Sequence, residues 1–306
     1  VFHNMKHADA YGLTAGQPGF DLAKVVARSR GVAKQLNQGV TGLMKKNKIA
    51  VHFGDGALTG VGKMSVTKDG KVTELAAKHI ILATGARARD LPFAKADGER
   101  IWTYRHAMVP KDMPTELLVI GSGAIGIEFA SFYNDMGAKV TVVEMLDRIV
   151  PVEDKDVSDA LAKSLTKQGM TLLTGAGVES LKPDGKGVAA KIKTADGKVA
   201  EQRFSHAIVA VGIVPNTENI GLEALKVETD RGFLKTDPMC RTNVPGIWAI
   251  GDITAPPWLA HKASHEGVIA AEAIAQALGN KDAHPHAMDA KNIPGCTYCH
   301  PQVASV

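Results

Sequence analysis

Six residues constrain this chain more than any others. Gly121-Ser122-Gly123-Ala124-Ile125-Gly126 spells G-x-G-x-x-G. Alone the string is weak, but the apolar run Leu117-Leu118-Val119-Ile120 precedes it and a helical pattern over 123–136 follows. Glu144 stands 23 positions after Gly121, at the end of the next apolar run, 139–144. Strand, glycine loop, helix, and strand with a terminal acid are the full context a dinucleotide fingerprint requires. The first glycine makes the tight turn, the second lets a pyrophosphate approach the backbone, and the third packs helix against sheet. The helix N-terminus turns free N–H groups and positive potential toward the phosphates.

The alternation continues. Residues 154–168 read as a helix ending at Gly169, and 170–173 as a third strand. Strand, helix, strand, helix, strand makes a parallel, doubly wound α/β unit. Asp184-Gly185 and Asp196-Gly197 then mark an antiparallel meander, and 207–211 returns as a buried strand ending in Gly212. Upstream, 21–46 is an amphipathic helix, with Leu22, Val25, Val26, Ala33, Leu36, Val40 and Leu43 at three- and four-residue spacing and Asp21 as N-cap. Residues 49–53 read as a strand, and Lys68-Asp69-Gly70-Lys71 as a hairpin turn. Ile80-Ile81-Leu82-Ala83 suits a strand buried on both faces, and 86–116 reads as loop. Residues 246–250 form another buried strand, 261–278 a helix and 280–292 a polar linker. Boundaries fall near Pro110 and Lys235.

Three of these strands end alike, at Ala83-Thr84-Gly85, Ala210-Val211-Gly212 and Ala249-Ile250-Gly251. Glycine at a strand's carboxyl end lets a cofactor or a crossing chain come close. The composition agrees: 31 of 306 residues are glycine, about a tenth against roughly 7% on average. A net charge of +4 without a dense basic run argues against a nucleic-acid binder. The apolar runs reach barely half of the roughly 20 residues a spanning helix needs, which argues against a membrane protein. Three cysteines cannot staple a chain this long, which points to a reducing compartment. The ends, Val1 and the strand-like Gln302-Val303-Ala304-Ser305-Val306, are expected to be cuts within a longer protein.

Glu144 also bears on cofactor choice. Its carboxylate would accept hydrogen bonds from the ribose hydroxyls of NAD and repel the ribose phosphate of NADP. At 4 Å and an effective dielectric of 20 that repulsion is on the order of 4 kcal/mol. Arg148 lies near it in sequence. Gly251-Asp252 points to a second cofactor. A buried aspartate after a strand needs a partner, and a sugar hydroxyl would serve. The helix starting near Leu259-Ala260-His261 would turn its positive end to negative charge on a reduced ring system.

Gly121 to Glu128 with Glu144, Ala83-Thr84-Gly85, Thr242-Asn243-Val244-Pro245-Gly246-Ile247-Trp248-Ala249-Ile250-Gly251-Asp252 and Leu259-Ala260-His261-Lys262-Ala263 occur in one order. In that order they resemble the flavin-dependent pyridine nucleotide–disulfide oxidoreductases, and most closely the branch that oxidises protein-bound dihydrolipoyl groups. Ile293-Pro294-Gly295 and Tyr298-Cys299-His300-Pro301-Gln302-Val303-Ala304 resemble the start of that family's dimerisation domain. The resemblance implies two Rossmann-like domains: part of an FAD domain at 1–109, an inserted NAD domain at 110–235, an FAD and central segment at 236–285, and the start of the interface domain at 286–306.

By the same resemblance, Gly121, Ser122, Gly123, Ala124, Ile125, Gly126, Ile127, Glu128, Glu144, Val178 and Gly212 would line NAD. Gly56, Ala83, Thr84, Gly85 and Asp252 would contact FAD, with Trp258, Leu259, Ala260 and His261 at the flavin's pyrimidine end. Glu128 would support catalysis by pairing with a lysine outside this chain. The family's redox Cys pair and His-Glu base would also lie outside it, leaving no catalytic residue among the 306 and the isolated chain inactive. The implied partners are a lipoyl-bearing protein of a 2-oxo acid dehydrogenase or glycine cleavage complex and a second copy of the full protein. The implied setting is bacterial cytoplasm or mitochondrial matrix. A mercuric or glutathione-type reductase and a non-catalytic nucleotide-binding fragment are the alternatives; Glu144 opposes the NADPH preference of the first.

Cys296-Thr297-Tyr298-Cys299-His300 matches C-x-x-C-H, which attaches haem, and C-x-x-C, a redox or zinc half-site. No further ligands follow at matching spacing, and a strand there would send the cysteines to opposite faces, so they read as structural thiols. His261 and His265 lack the glutamate of a zinc helix, and no metal is expected.

Overall fold

The computed structural model describes residues 1–306, the side chain of Ala290 apart. In chain order it runs α1 (Phe2–Lys6), α2 (Leu22–Lys46), β1 (Asp55–Gly60), β2 (Lys63–Lys68), β3 (Lys71–Ala76), β4 (Ile80–Leu82), β5 (Ala86–Ala88), β6 (Ile101–Trp102) and α3 (Tyr104–Ala107). Then come β7 (Glu116–Ile120), α4 (Ala124–Asp135), β8 (Lys139–Val143), α5 (Lys155–Lys167), β9 (Thr171–Leu173), β10 (Gly177–Asp184), β11 (Gly187–Lys193), β12 (Val199–Phe204) and β13 (His206–Val209). The remainder is β14 (Ile213–Pro215), β15 (Thr229–Asp230), β16 (Phe233–Leu234), β17 (Ile247–Ala249), α6 (Ala260–Ala277), β18 (Gly295–Thr297) and β19 (Val303–Ser305). The chain forms two compact units, one of Val1–Thr41, Ala88–Gly212 and Cys296–Ser305, the other of Gly42–Arg87 and Ile213–Gly295 with Val306. It is a mixed α/β structure with parallel sheet cores.

The first unit holds a five-stranded parallel sheet in the order β6-β13-β7-β8-β9. Its apolar runs have a direct explanation in the packing. Leu117 and Val119 of β7 join one core cluster while Leu118 and Ile120 join another. Successive side chains leave a strand on opposite faces, so a strand covered on both sides must be apolar at every position. Val140 and Val142 of β8 lie in the first cluster and Val143 in the second. The meander β10-β11-β12 turns at the two Asp-Gly positions read from the sequence.

The second unit pairs β4 with β17 in parallel, Ile81 beside Trp248. Ile80, Leu82, Ile247 and Ala249 share a core with Leu222, Leu234 and Ile253. The loops after these two strands, and after β13 in the first unit, pass through Gly85, Gly251 and Gly212 at φ +68°, +74° and +104°. That left-handed backbone is the physical reason for the shared strand-end glycine.

Several expectations need correcting. Residues 49–53 form no strand; Ile49, Val51 and Phe53 are exposed, and their backbone is paired with none of the described strands. β4 is not buried on both faces, since Ile81 is 37% exposed in a sheet of two strands. Residues 86–116 are not all loop: β6 forms the edge of the five-stranded sheet, and α3 begins with a capping box between Thr103 and His106. The strand expected across Cys296 to Cys299 stops at Thr297, and Cys299 lies in the turn before β19. Helix α2 forms as its periodicity predicts, with Asp21 capping the Lys24 N–H at 3.1 Å, yet none of its residues is buried. Among the described residues, no helix is long and apolar enough to cross a membrane.

Candidate functional site

The first unit opens a cleft of about 390 Å³ at the carboxyl ends of β7, β8 and β13. This is the switch point of a doubly wound sheet, where β7 continues to β8 on one side and meets β13 on the other. Gly121 lies at φ +97°, and a Cβ there would strike the Ala210 carbonyl. A Cβ on Gly126 would strike the carbonyl of Gly121. Both positions are closed to any side chain. Gly123 differs: nothing lies within 4 Å of where its Cβ would point. It is also the N-cap of α4, with no side chain to satisfy the first N–H groups of the helix. Open space and unsatisfied donors therefore face the same cleft.

Glu144 stands at the cleft wall, held by three donors. Its Oε2 accepts from the Ser122 N–H and the Ser122 hydroxyl, each at 2.8 Å, and its Oε1 accepts from the Leu146 N–H at 2.9 Å. An ionised carboxylate has about four acceptor positions. One remains, on Oε1. Arg148 does not neutralise this acid: Nη2 donates to the Pro151 carbonyl at 3.2 Å and Nη1 lies 3.9 Å from Asp147. Val150 braces the loop by donating its N–H to the Ser122 carbonyl at 2.9 Å, from a backbone at φ +39° that β-branched residues rarely adopt.

Of the residues expected at a dinucleotide, Gly121, Ser122, Gly123, Glu144, Val178 and Gly212 line this cleft. Ala124 and Ile125 are exposed at the start of α4, while Gly126 and Ile127 are buried, Ile127 within the core. Glu128 turns elsewhere: its Oε1 accepts from the Tyr298 N–H at 2.8 Å, and it borders an apolar groove beside Val25 and Phe132.

In the second unit, Thr84, Gly85, Asp252 and the start of α6 follow β4 and β17. The Thr84 hydroxyl donates to the Asn216 carbonyl at 2.7 Å, and the Asn216 side chain returns a bond to the Thr84 carbonyl at 2.9 Å. Ala83 is exposed beside them, and Gly56 is exposed on β1 opposite Val66. Asp252 is half-buried in a 3₁₀ turn, and its carboxylate meets no hydrogen-bond or ionic partner among the described residues. It does not cap the turn. Trp258 stacks on Phe233 at 4.9 Å and donates its indole N–H to the Thr254 carbonyl at 3.0 Å. Leu259 is the N-cap of α6, again without a side-chain cap, and Ala260 is its first residue. His261 Nε2 lies 2.8 Å from the Pro294 carbonyl; a carbonyl only accepts, so this nitrogen carries the proton.

The sequence matches the pyridine nucleotide–disulphide oxidoreductase family over residues 4–267. The chain belongs to the pyridine nucleotide–disulphide oxidoreductase family. Along its whole length it is 56% identical to a dihydrolipoyl dehydrogenase of Zymomonas mobilis and 47% identical to one of Rhizobium etli. It spans 65% and 66% of those two relatives. In structure it is similar to LpdA of Mycobacterium tuberculosis, with a TM-score of 0.88 and 31% identity over 99% of this chain and 65% of that one. The flavoprotein disulfide reductase RclA of Escherichia coli shares the fold, at TM-score 0.82 and 23% identity.

A family defined by disulphide chemistry directs attention to the thiols. Cys240 and Cys299 are buried, and burial pushes each up to about 11. The Cys299 thiol donates to the Pro301 carbonyl at 3.0 Å, and Cys296 is half-buried. Exchange needs an accessible thiolate, which neither buried thiol provides. Among the described residues no group of three or more ligands could hold a metal. Sequence reading missed one cluster altogether, the buried pair Lys262 and Glu266 behind Asp252. Its only signal was the i, i+4 spacing of opposite charges on a helix otherwise lined with alanine and isoleucine.

Proposed function

We propose that this chain carries the nucleotide-holding part of an FAD- and NAD-dependent disulfide oxidoreductase that oxidises protein-bound dihydrolipoyl groups. The observation that carries this reading is Glu144, fixed by Ser122 and Leu146 with one acceptor position free beside the uncapped start of α4. The names of the Zymomonas and Rhizobium relatives support the substrate class. Bound together, the two cofactors would supply the redox chemistry, in which the dithiol gives up two electrons and two protons and NAD⁺ becomes NADH with release of one proton.

The residues fit these groups. Backbone N–H groups of α4 would hold the pyrophosphate over Gly123, where no atom lies within 4 Å of a would-be Cβ. Glu144 would accept from a ribose hydroxyl and exclude a ribose phosphate. Val178 and Gly212 would complete that wall. Ala124 to Glu128 would serve through α4 itself. On the FAD side, Asp252 would accept from the sugar-alcohol hydroxyls, and backbone at Gly56, Ala83, Thr84 and Gly85 would lie against the dinucleotide. The uncapped α6 start at Trp258, Leu259, Ala260 and His261 would stabilise negative charge on the ring system. The corresponding domain limits are 1–109, 110–235, 236–285 and 286–306.

The exchange disulfide and the base that deprotonates the dithiol are assigned to segments outside residues 1–306: Cys240 and Cys299 are buried with thiols pushed up to about 11, which leaves the half-buried Cys296 without an accessible partner thiol for exchange. Glu128 would then pair with a lysine of such a segment. The whole protein would act as a homodimer on a lipoyl-bearing partner of a 2-oxo acid dehydrogenase or glycine cleavage complex, in bacterial cytoplasm or mitochondrial matrix. The test is to purify the full-length protein, measure its flavin content, and assay dihydrolipoamide oxidation with NAD⁺ and with NADP⁺. Bound FAD and turnover with NAD⁺ are expected. A colourless protein, or one equally active with NADP⁺, overturns the reading.

A further inference from the structure

Two charged side chains are buried in the second unit with no part in the function described above. Lys262 is 6% exposed and Glu266 8%, one turn apart on α6. A buried ion pair adds little stability by itself and costs desolvation of both charges, so what the pair holds matters more than that it exists. Glu266 Oε1 accepts from Lys262 Nζ at 2.6 Å, and Oε2 accepts from the Gly251 N–H at 2.7 Å. Lys262 Nζ donates again, to Thr254 Oγ1 at 3.3 Å, and that hydroxyl donates to the Gly251 carbonyl at 2.7 Å. The circuit closes on one residue. The Gly251 N–H, at φ +74°, is held directly from α6, and its carbonyl is held by Thr254, whose N–H also donates to it at 2.9 Å and whose hydroxyl α6 reaches through Lys262. Between Gly251 and Thr254 sits Asp252, whose carboxylate has no partner among the described residues.

We propose that Glu266, oriented by Lys262, is a positioning residue that clamps the Gly251 turn and so aims the Asp252 carboxylate at the flavin's sugar-alcohol hydroxyls. The proposal rests on the reading of Asp252 as an FAD contact. It explains why a carboxylate is buried at 266, since an acceptor must reach the Gly251 N–H from the interior. It also explains the lysine, which neutralises that carboxylate and carries the circuit to Thr254.

Removing one charge alone would strand the other in the interior, so the test uses paired replacements in the full-length protein. Glu266→Gln with Lys262→Met keeps an acceptor for Gly251; Glu266→Leu with Lys262→Met removes it, and neither leaves a buried charge. Two quantities are measured: amide hydrogen exchange across 250–254 by mass spectrometry, and FAD affinity by titrating stripped protein. The glutamine pair should match the parent in both. The leucine pair should exchange faster across the turn and bind FAD about tenfold more weakly, the scale of one lost charge-assisted bond. Asp252→Ala, the control, should shed FAD while leaving exchange at Gly251 slow. A leucine pair that holds FAD as tightly as the parent, while Asp252→Ala has lost it, overturns the clamp. Full FAD retention by Asp252→Ala overturns the contact reading instead, and the clamp is then decided by exchange: unaccelerated exchange in the leucine pair overturns it.

Discussion

At the scale of single residues, Glu144 would be the source of the proposed preference for NAD⁺. The Ser122 N–H, the Ser122 hydroxyl and the Leu146 N–H hold its carboxylate in place, so its charge cannot swing away from an incoming phosphate. Glu144→Arg should therefore raise the NADP⁺ over NAD⁺ ratio of kcat/KM by at least tenfold, a modest part of the ~4 kcal/mol repulsion estimated for the unscreened pair. An unchanged ratio would remove Glu144 from the account of cofactor choice. The thiols offer a second check. With burial raising Cys240 and Cys299 to about 11, both thiols stay almost wholly protonated at pH 7.5. Iodoacetamide should label Cys296 first in the 306-residue chain, and the other two only once denaturant is added. Rapid labelling of Cys299 in the native chain would contradict the burial described.

At the scale of elements, the strand–loop–helix at 116–135 works because two glycines admit no alternative. Gly126→Ala places a methyl group against the Gly121 carbonyl, so α4 must shift away from β7. We expect a loss of about 2–3 kcal/mol in unfolding free energy and a parallel loss of NAD⁺ affinity, measured by denaturant titration and calorimetry. Stability near the parent value would show that the turn can relax. The other end of the sheet carries a pH dependence. His206 of β13 is 1% exposed, packs tilted against Trp102 with ring centroids 4.3 Å apart, and receives a 2.7 Å contact on Nε2 from Arg100. Burial lowers its pKa below the ordinary 6.5, with Arg100 adding to the effect and Asp112 opposing it. Below about 6.5 the unfolded chain takes up a proton that the folded chain refuses, so this contribution is present above that pH and is lost as pH falls through the folded value. His206→Gln, which keeps an acceptor for Arg100, should flatten the stability profile between pH 7 and 5. An unchanged slope would assign the acid sensitivity to other groups.

At the scale of the molecule, the proposed function gives the chain two nucleotide sites, while among the described residues there is no accessible thiol pair. Purified as these 306 residues and supplied with FAD, NAD⁺ and dihydrolipoamide, it should show no turnover above background while still binding NAD⁺. Turnover near that of a full-length relative would place the exchange cysteines in this chain, with Cys296 and Cys299 the first to examine. Much of the architecture was legible in the linear sequence because its causes are local. The apolar run at 117–120 of β7 and Val140, Val142 and Val143 of β8 mark strands covered on both faces, and three strand-end glycines mark left-handed turns; each depends on one residue's sterics or a period of two. What escaped depends on residues far apart in the chain. β6 is a strand only because β13, a hundred residues later, supplies its hydrogen bonds, whereas 49–53 has the right composition and no partner. The Glu266 circuit and the three bonds on Glu144 escaped for the same reason. The sequence determined where the central strands β7 and β8, the Asp-Gly turns and the glycine loop lie, because excluded volume and hydrophobic period act within a few residues. Only the tertiary structure decided which carboxylates are partnered and which, like Asp252, keep an acceptor free, because hydrogen-bond satisfaction depends on what the fold brings within about 3 Å.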